Sequence, residues 1–194
     1  VNGFAVTGMG YHGTWNATEA SPERAVDSGM IDRFGTIDPT DRGRSSRYSV
    51  SGDWQRGSSG SLTKLSAYGL WYDLNLISNF TFFLDDPVRG DQREQVDRRF
   101  VSGVRAFQKR QTRWAGHPVE NTVGVQFRND DVMQNALYHT EARERLETVN
   151  DASALVTTVG IYGENQVERA RGCRTTLGPR ADGSPFDVTN RGGE

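Results

Sequence analysis

The residue types that most often bind metals are few in this chain and widely separated. There are three histidines, His12, His117 and His139, and one cysteine, Cys173. A structural zinc site needs four such ligands, usually in closely spaced pairs, and no two of these histidines have that spacing. We therefore expect no metal and no cofactor, and we interpret the histidines as neutral side chains on a surface or in a lumen.

Two pairs of adjacent carboxylates, Asp85–Asp86 and Asp130–Asp131, are the other candidates for cation binding. The first pair opens the segment DDPVRGD, which has a turn-forming Pro and Gly but lacks the ligand spacing of a calcium loop. We interpret both pairs as solvated carboxylates at the edges between strands and loops, with a cation site as the alternative.

Nucleophilic catalysis is not indicated either. Serines are frequent in RSSRYSVSGDW, which starts at Arg44, and in RGSSGS, which starts at Arg56. Neither a G-x-S-x-G motif nor a phosphate-binding glycine loop is present, and strand alternation and turn chemistry explain the serines. We expect that the chain is not an enzyme. Nearly all its cations are arginines, which form either an anion-binding lining or a solvated charged wall.

The composition limits which elements hold these residues. The chain has 194 residues, enough for one domain, and contains no apolar run long enough for a membrane-spanning helix. Its 22 glycines and 35% hydrophobic content fit a soluble all-β protein, a disordered chain or an outer-membrane barrel, and the 10% aromatic content argues against disorder. A net charge of -2 predicts no nucleic-acid surface. The start has no initiator Met and no leader pattern, which predicts a removed signal peptide or a fragment.

The clearest pattern is LSAYGLWYDLNL, from Leu65 to Leu76. Its period of two predicts a long strand with two unlike faces. We assign the face that carries Gly69, Asp73 and Asn75 to water. We assign the uncharged face to lipid; its members are Ser66, Tyr68, Leu70, Tyr72, Leu74 and Leu76.

Similar alternation predicts seven strands in all. Residues 48, 50, 52 and 54 are apolar or small and oppose the polar residues between them, and Val123, Val125 and Phe127 oppose Gly124, Gln126 and Arg128. The inward faces of the fourth and sixth strands stay open. Aromatic residues near strand ends are typical of membrane-interface girdles, with a soluble sandwich core as the alternative; they are Trp15, Trp54, Trp71, Tyr11, Tyr48, Tyr68 and Tyr72. The strands are expected at about 4–17, 45–56, 62–78, 98–109, 120–130, 154–167 and 172–182.

The connections between these strands alternate in length. Long segments are expected at 18–44, 79–97 and 131–153, and short ones at 56–60, 110–119 and 168–172. Long loops on one rim and short turns on the other are typical of up-and-down outer-membrane barrels. Within the third long loop, we expect YHTEARERL from Tyr138 to be irregular, with a helical turn or two extended strands as alternatives.

Four segments resemble the barrel portion of TonB-dependent outer-membrane receptors. They are GYHGTWNATEASPERAVDSGMIDRFGTID from Gly10, ENTVGVQFRNDDV from Glu120, GIYGENQVE from Gly160 and RTTLGPRADG from Arg174. The resemblance implies a 22-stranded barrel in the bacterial outer membrane with an N-terminal plug. It also implies import of a small-molecule ligand such as a ferric siderophore, haem or cobalamin, with TonB as partner. Neither a plug nor a TonB-box is visible.

The end of the chain departs from the family pattern. Residues 170–173 replace the apolar or aromatic residues usual at the last short turn, and Pro179 is expected to interrupt the strand that follows. The closing SPFDVTNRGGE is expected to form turns.

Together, these patterns predict an all-β fold over residues 1–194, as an incomplete arc of about seven strands from a larger antiparallel up-and-down transmembrane β-barrel. We expect it to lie in the lipid bilayer of the outer membrane as the barrel segment of an active transporter, without its plug domain. The alternative is a soluble all-β binding module such as a carbohydrate-binding sandwich, in which Tyr68, Leu70, Tyr72 and Leu74 pack against a facing sheet.

Overall fold

The computed structural model describes residues 2–17, 21–170 and 172–192, most of which lie in β-strands. The described residues include one five-residue helix, α1 (Glu23–Asp27), which is far too short to cross a membrane. Val1, residues 18–20 from the family-like loop, Arg171, Gly193 and Glu194 lie outside the described residues. The strands are β1 (Asn2–Asn16), β2 (Arg42–Ser58), β3 (Ser61–Ser78), β4 (Arg93–Trp114), β5 (His117–Glu141), β6 (Glu144–Ala170), β7 (Cys173–Leu177), β8 (Arg180–Gly183) and β9 (Phe186–Gly192).

All nine strands belong to one antiparallel sheet, which confirms the all-β prediction. Strands β1 to β6 pair in sequence order, and β7, β8 and β9 each pair with the free edge of β6. These last three strands therefore form one interrupted seventh strand. Within the described residues, β1 does not pair with this seventh strand, so the sheet is not closed.

Prolines lie at both interruptions of the seventh strand. Pro179 separates β7 from β8, as predicted, and Pro185 separates β8 from β9. A proline has no N–H to donate to the ladder, but its carbonyl still accepts. The backbone N–H of Gly163 donates to the Pro179 carbonyl at 3.0 Å, and that of Thr157 donates to the Pro185 carbonyl at 3.0 Å. The prolines break the strand without detaching it from β6.

The outer parts of β5 and β6 correct the sequence prediction. The segment from Tyr138 to Leu146 is not irregular; it follows the alternative of two extended strands and forms the tip of a hairpin, with Ala142 and Arg143 in its turn at φ +49° and +77°. The predicted loop at 131–153 is therefore absent. Three register shifts between β5 and β6 interrupt the period-two pattern here, which explains why alternation alone did not show the strands.

The last segment is also more ordered than predicted. Residues 186–192 of SPFDVTNRGGE form β9 rather than a succession of turns, because they pair with the outer half of β6 from Asp151 to Val156.

The connections at the two ends of the sheet differ in length. At one end, the strands are joined by two-residue turns, including Ser59–Gly60, inside the predicted short turn 56–60, and Ala115–Gly116, where a longer link was predicted. Positive φ values at Gly60 (+73°) and Gly116 (+80°) favour glycine at these positions. At the other end lie two long loops, residues 17–41 and 79–92, which we call the first and second long loops.

Gln92 links both long loops to the β5–β6 hairpin. Its side chain is 2% exposed. The amide nitrogen Nε2 lies 2.6 Å from Thr40 Oγ1 and 3.1 Å from Asp38 Oδ2, both in the first long loop. The amide oxygen Oε1 accepts hydrogen bonds from Thr140 Oγ1 at 3.0 Å and from the backbone N–H of Arg143 at 2.9 Å. One buried amide therefore fixes three chain segments at the long-loop end.

Candidate functional site

The cross-strand register sorts the side chains onto two faces, because directly opposite residues lie on the same side of a sheet. One row runs through Val6, Gly52, Ala67, Val104 and Phe127. We call the side that carries this row the apolar face. Its central members are Phe4, Val6, Tyr48, Val50, Gly52, Trp54, Leu65, Ala67, Gly69, Trp71, Phe100, Ser102, Val104, Ala106, Val123, Val125, Phe127, Leu155, Thr157, Val159 and Ile161. Two polar residues of β5 lie on the same face near its long-loop end, Asn129 opposite Ser102 and Asp131 opposite Phe100.

The apolar face is bounded by arginines at both ends. On β2, the charge-free residues of this face lie between Arg44 and Arg56, and on β4 they lie between Arg98 and Arg110. Each pair is twelve residues apart in the sequence, which corresponds to about 40 Å along a strand. Strands of transmembrane barrels tilt by about 40°, and at that tilt a length of about 40 Å would span about 30 Å along the membrane normal, the thickness of the hydrocarbon core of a bilayer.

Aromatic side chains form a row at the long-loop end of the apolar face. Tyr48 lies opposite Trp71, and Trp71 lies opposite Phe100. At the short-turn end, Trp54 lies between Phe4 and Leu65. Most of these side chains are exposed. Their position at the two limits of an apolar band is the arrangement expected of interfacial girdles.

The register corrects the assignment of β3. Tyr68 was assigned to the lipid face with Ser66, Leu70, Tyr72, Leu74 and Leu76, but it lies opposite Ser51 and Gly103, on the polar side. Leu65, Ala67 and Trp71 occupy the apolar face instead. Both faces of this strand carry large apolar residues, so only pairing with β2 and β4 distinguishes them.

The other aromatic residues of the predicted girdles also lie on the polar face. Tyr11 lies opposite Arg47, which in turn lies opposite Tyr72. Trp15 lies opposite Gly43. The polar face therefore carries aromatic and charged side chains side by side, whereas the apolar face carries the aromatic row at its rim.

Glycines on the polar face make room for tyrosines of neighbouring strands. A Cβ atom at Gly103 would lie 2.6 Å from the Tyr68 ring, and one at Gly124 would lie 2.4 Å from the Tyr162 ring. Such contacts are too short for any other residue, so each tyrosine lies across the backbone of the next strand. These pairs depend on the observed strand register.

Some of the charges on the polar face form close ion pairs. Arg128 contacts both carboxylate oxygens of Asp130, at 2.6 and 2.8 Å. Arg180 contacts Asp182 in the same way, at 2.6 and 2.7 Å, and also reaches Gln126. Asp130 thus lies inside β5 and not at a strand-to-loop edge. This surface is hydrophilic but largely charge-compensated where these pairs lie.

A carboxylate outside the two candidate cation-binding pairs organises the second long loop. Asp91 is 5% exposed and accepts hydrogen bonds from the backbone N–H groups of Leu84, Asp85 and Asp86 at 2.7–3.1 Å. Burial alone would raise the pKa of Asp91, but these bonds and one from Thr81 outweigh it and lower the pKa to about 2. Asp91 is therefore the structural anchor of the loop.

Asp86, one of the acidic residues that the sequence offers as a candidate, has a local structural role. Asp86 Oδ1 accepts hydrogen bonds from the backbone N–H groups of Arg89 and Val88, which lower its pKa. Asp38 was not singled out. Burial opposes its ionisation, but hydrogen bonds from Thr40 and other donors lower its pKa.

The histidines lie in different parts of the sheet. His12 Nδ1 lies 2.8 Å from Ser46 Oγ on β2, and His117 is the first residue of β5, beside a short turn. His139 is in β5 rather than in a loop, and its Nε2 lies 2.6 Å from the carbonyl oxygen of Gly90. Among the described residues, no three His, Cys, Asp or Glu side chains are grouped to hold a metal ion.

The sandwich alternative predicts a second sheet against Tyr68 and its neighbours. The described residues contain a single sheet, and Tyr68 is 40% exposed.

Comparison with protein-family models, curated proteins and solved structures gives no match to this chain.

Proposed function

We propose that this chain is part of the wall of a transmembrane β-barrel in the bacterial outer membrane, and that the barrel belongs to a TonB-dependent receptor. The observation that carries the proposal is the apolar face between the paired arginines of β2 and β4. A sheet in water gains nothing by exposing such a band, whereas in a bilayer its height matches the hydrocarbon core.

The polar face supports the same proposal. In a barrel, the side opposite the lipid lines a hydrated interior, where charged groups remain solvated or paired. Arg128–Asp130 and Arg180–Asp182 are pairs of this kind. In the intact receptor, this face surrounds the plug and the path of an imported ligand, with a ferric siderophore as our first choice and haem or cobalamin as others.

The unpaired edges of the sheet indicate that the barrel wall contains further strands. The outer edge of β1 presents backbone N–H and C=O groups over fifteen residues without a neighbouring strand among the described residues. Unpaired backbone groups are costly in lipid, so membrane-spanning sheets close into barrels. We therefore propose that further strands pair with β1 and with the seventh strand. The family assignment itself rests on the resemblance of the sequence motifs.

Cysteine accessibility in native membranes tests the membrane orientation. Neighbouring residues Val50 and Ser51 lie on opposite faces of β2. In a Cys173→Ser background of the intact protein, a membrane-impermeant maleimide applied after permeabilisation labels Ser51→Cys and leaves Val50→Cys unlabelled until detergent is added. Equal labelling of the two variants, or recovery of the protein as a cooperative monomer in detergent-free buffer, contradicts a lipid-facing β2.

A further inference from the structure

The strongest charged patch outside these paired sites lies just beyond the aromatic row of the apolar face. Four arginines, Arg42, Arg44, Arg98 and Arg145, line one concavity of about 560 Å³. Arg44 and Arg98 also mark the long-loop limit of the apolar band. The concavity therefore adjoins the part of the sheet that we propose to lie in lipid.

Two carboxylates hold three of these guanidinium groups. Glu94 contacts Arg145 through both oxygens, at 2.5 and 3.0 Å. Asp73 lies 2.9 Å from Arg98 Nε and 3.5 Å from Arg44 Nη2. The carboxylate side chains are only 9% and 17% exposed, whereas the arginine side chains are about half exposed. The acids thus lie beneath the guanidinium groups, whose outer N–H groups remain available.

The charge balance favours an anion. Four arginines and Glu94 line the concavity, and the carboxylates of Asp73 and Asp151 interact with these arginines, which leaves one positive charge in excess. Guanidinium groups donate in a planar fork that matches the oxygens of a phosphate. Because the carboxylates already order three of the side chains, binding costs less conformational entropy than it would for free arginines.

The position of the site identifies the source of the phosphate. Asp73 and Arg98 follow Trp71 and precede Phe100 by two residues, about 7 Å along the strands. If the aromatic row marks the membrane interface, the concavity lies at the depth of the lipid headgroups. A soluble anion would use only the arginines of the concavity. A lipid uses these arginines for its phosphate group and the apolar surface directly below them for its acyl chains.

We propose that this concavity binds the phosphate group of an anionic lipid whose acyl chains lie on the apolar face. This inference rests on the proposed function. It assigns the four arginines a role in holding specific lipids at the long-loop rim of the wall.

The test is lipid retention by the intact protein in nanodiscs of phosphatidylcholine containing a minor fraction of phosphatidic acid. Native mass spectrometry counts the phosphatidic acid molecules that stay bound. The Arg44→Gln/Arg98→Gln variant is expected to lower the apparent affinity about 25-fold, at about fivefold for each arginine near a membrane surface. The matched control Arg56→Gln/Arg110→Gln removes the same charge at the opposite end of the apolar face and is expected to retain the lipid.

The Arg42→Gln variant separates a loss of lipid binding from a loss of folding. Arg42 forms no close ion pair in the described part of the chain and acts on Glu94 only through longer-range electrostatics, so its removal should leave the sheet intact, while binding falls about fivefold. Arg47→Gln, on the polar face of the same strand, is its control.

The possible outcomes separate the two proposals. Equal losses in both double variants, or no preference for phosphatidic acid over phosphatidylcholine, overturn the lipid site while leaving the membrane assignment intact. If inorganic phosphate displaces phosphatidic acid at a similar concentration, the site binds free phosphate and not a lipid headgroup, and the proposed lipid site is wrong. If the intact protein does not enter nanodiscs at all, the proposed function is wrong, and the lipid site that rests on it is wrong as well.

Discussion

Replacing Val50 by arginine probes the apolar face at its midpoint. Val50 is six residues from both Arg44 and Arg56, and 57% of its side chain is exposed in the isolated sheet. In water, such an exposed position tolerates substitution within about 0.5 kcal/mol. At the midplane of a bilayer, an arginine on a lipid-facing strand costs about 2–4 kcal/mol. The same change therefore has very different costs in the two environments.

The assay is denaturant unfolding of the intact protein in phosphatidylcholine vesicles, with Ser51→Arg as the matched control. We expect Val50→Arg to lower the folding equilibrium constant by about 30- to 900-fold, which follows from 2–4 kcal/mol at about 1.36 kcal/mol for each factor of ten. Ser51 faces the polar side, opposite Thr7 and Tyr68, so arginine there remains hydrated and should cost much less. Similar costs for the two variants would refute the assignment of the faces.

Three further predictions concern the loops and the strand register. Because the pKa of Asp91 falls from 3.8 to about 2 on folding, its stabilising contribution is complete above the unfolded value and is lost as the pH falls from about 4 to about 2. The protection of the amides of residues 84–86, measured as hydrogen exchange relative to the intrinsic rate at each pH, should fall over that range in the wild type. Asp91→Asn should remove this pH dependence of the protection. Gln92→Ala leaves several buried groups without partners and should lower the free energy of unfolding by about 1–3 kcal/mol, measured by the same vesicle titration; no loss would contradict its linking role. Gly103→Val collides with the Tyr68 ring and should cost about 1–3 kcal/mol, and a double-mutant cycle with Tyr68→Ala should recover most of it.

The regular part of the sheet could be predicted because its sequence alternates without interruption. Alternation in β2 and in the first half of β5 gave the strands and their faces, and Ser59–Gly60 was recognisable as a tight turn. The outer half of β5 was missed for a definite reason. The register shift between Val132 and Asn135 places apolar residues out of phase, so a continuous strand does not keep a continuous pattern.

The error in β3 was avoidable from the sequence. A two-residue turn at Ser59–Gly60 places Ser58 opposite Ser61, and counting outward then places Trp54 opposite Leu65. This sets Leu65, Ala67 and Trp71 on the face of Val50. The periodicity of one strand identifies two faces, but only its pairing with a neighbour decides which of them is shared.

The loop anchors could not be predicted in this way. Gln92 contacts Thr40 and Thr140, which are 52 and 48 residues away in the sequence. Nothing in the local pattern around Gln92 distinguishes it from a solvated loop amide. Asp91 is easier to predict, because the three backbone N–H groups that donate to it lie within seven residues, and an acidic residue that follows a Gly at the end of a loop is a recognisable acceptor for loop N–H groups.

Two independent features make the assignment of the faces hard to reverse. A one-residue slip of any strand would exchange its faces; for β5 it would place Arg128 among Val104 and Val159 on the apolar face. The two-residue turns oppose such a slip at the ends of the strands, and the Tyr68–Gly103 contact opposes it in the middle, because a residue other than glycine would collide with the ring. The apolar band is therefore a consequence of fixed geometry, and any environment proposed for this protein has to account for an ordered sheet that keeps this band exposed.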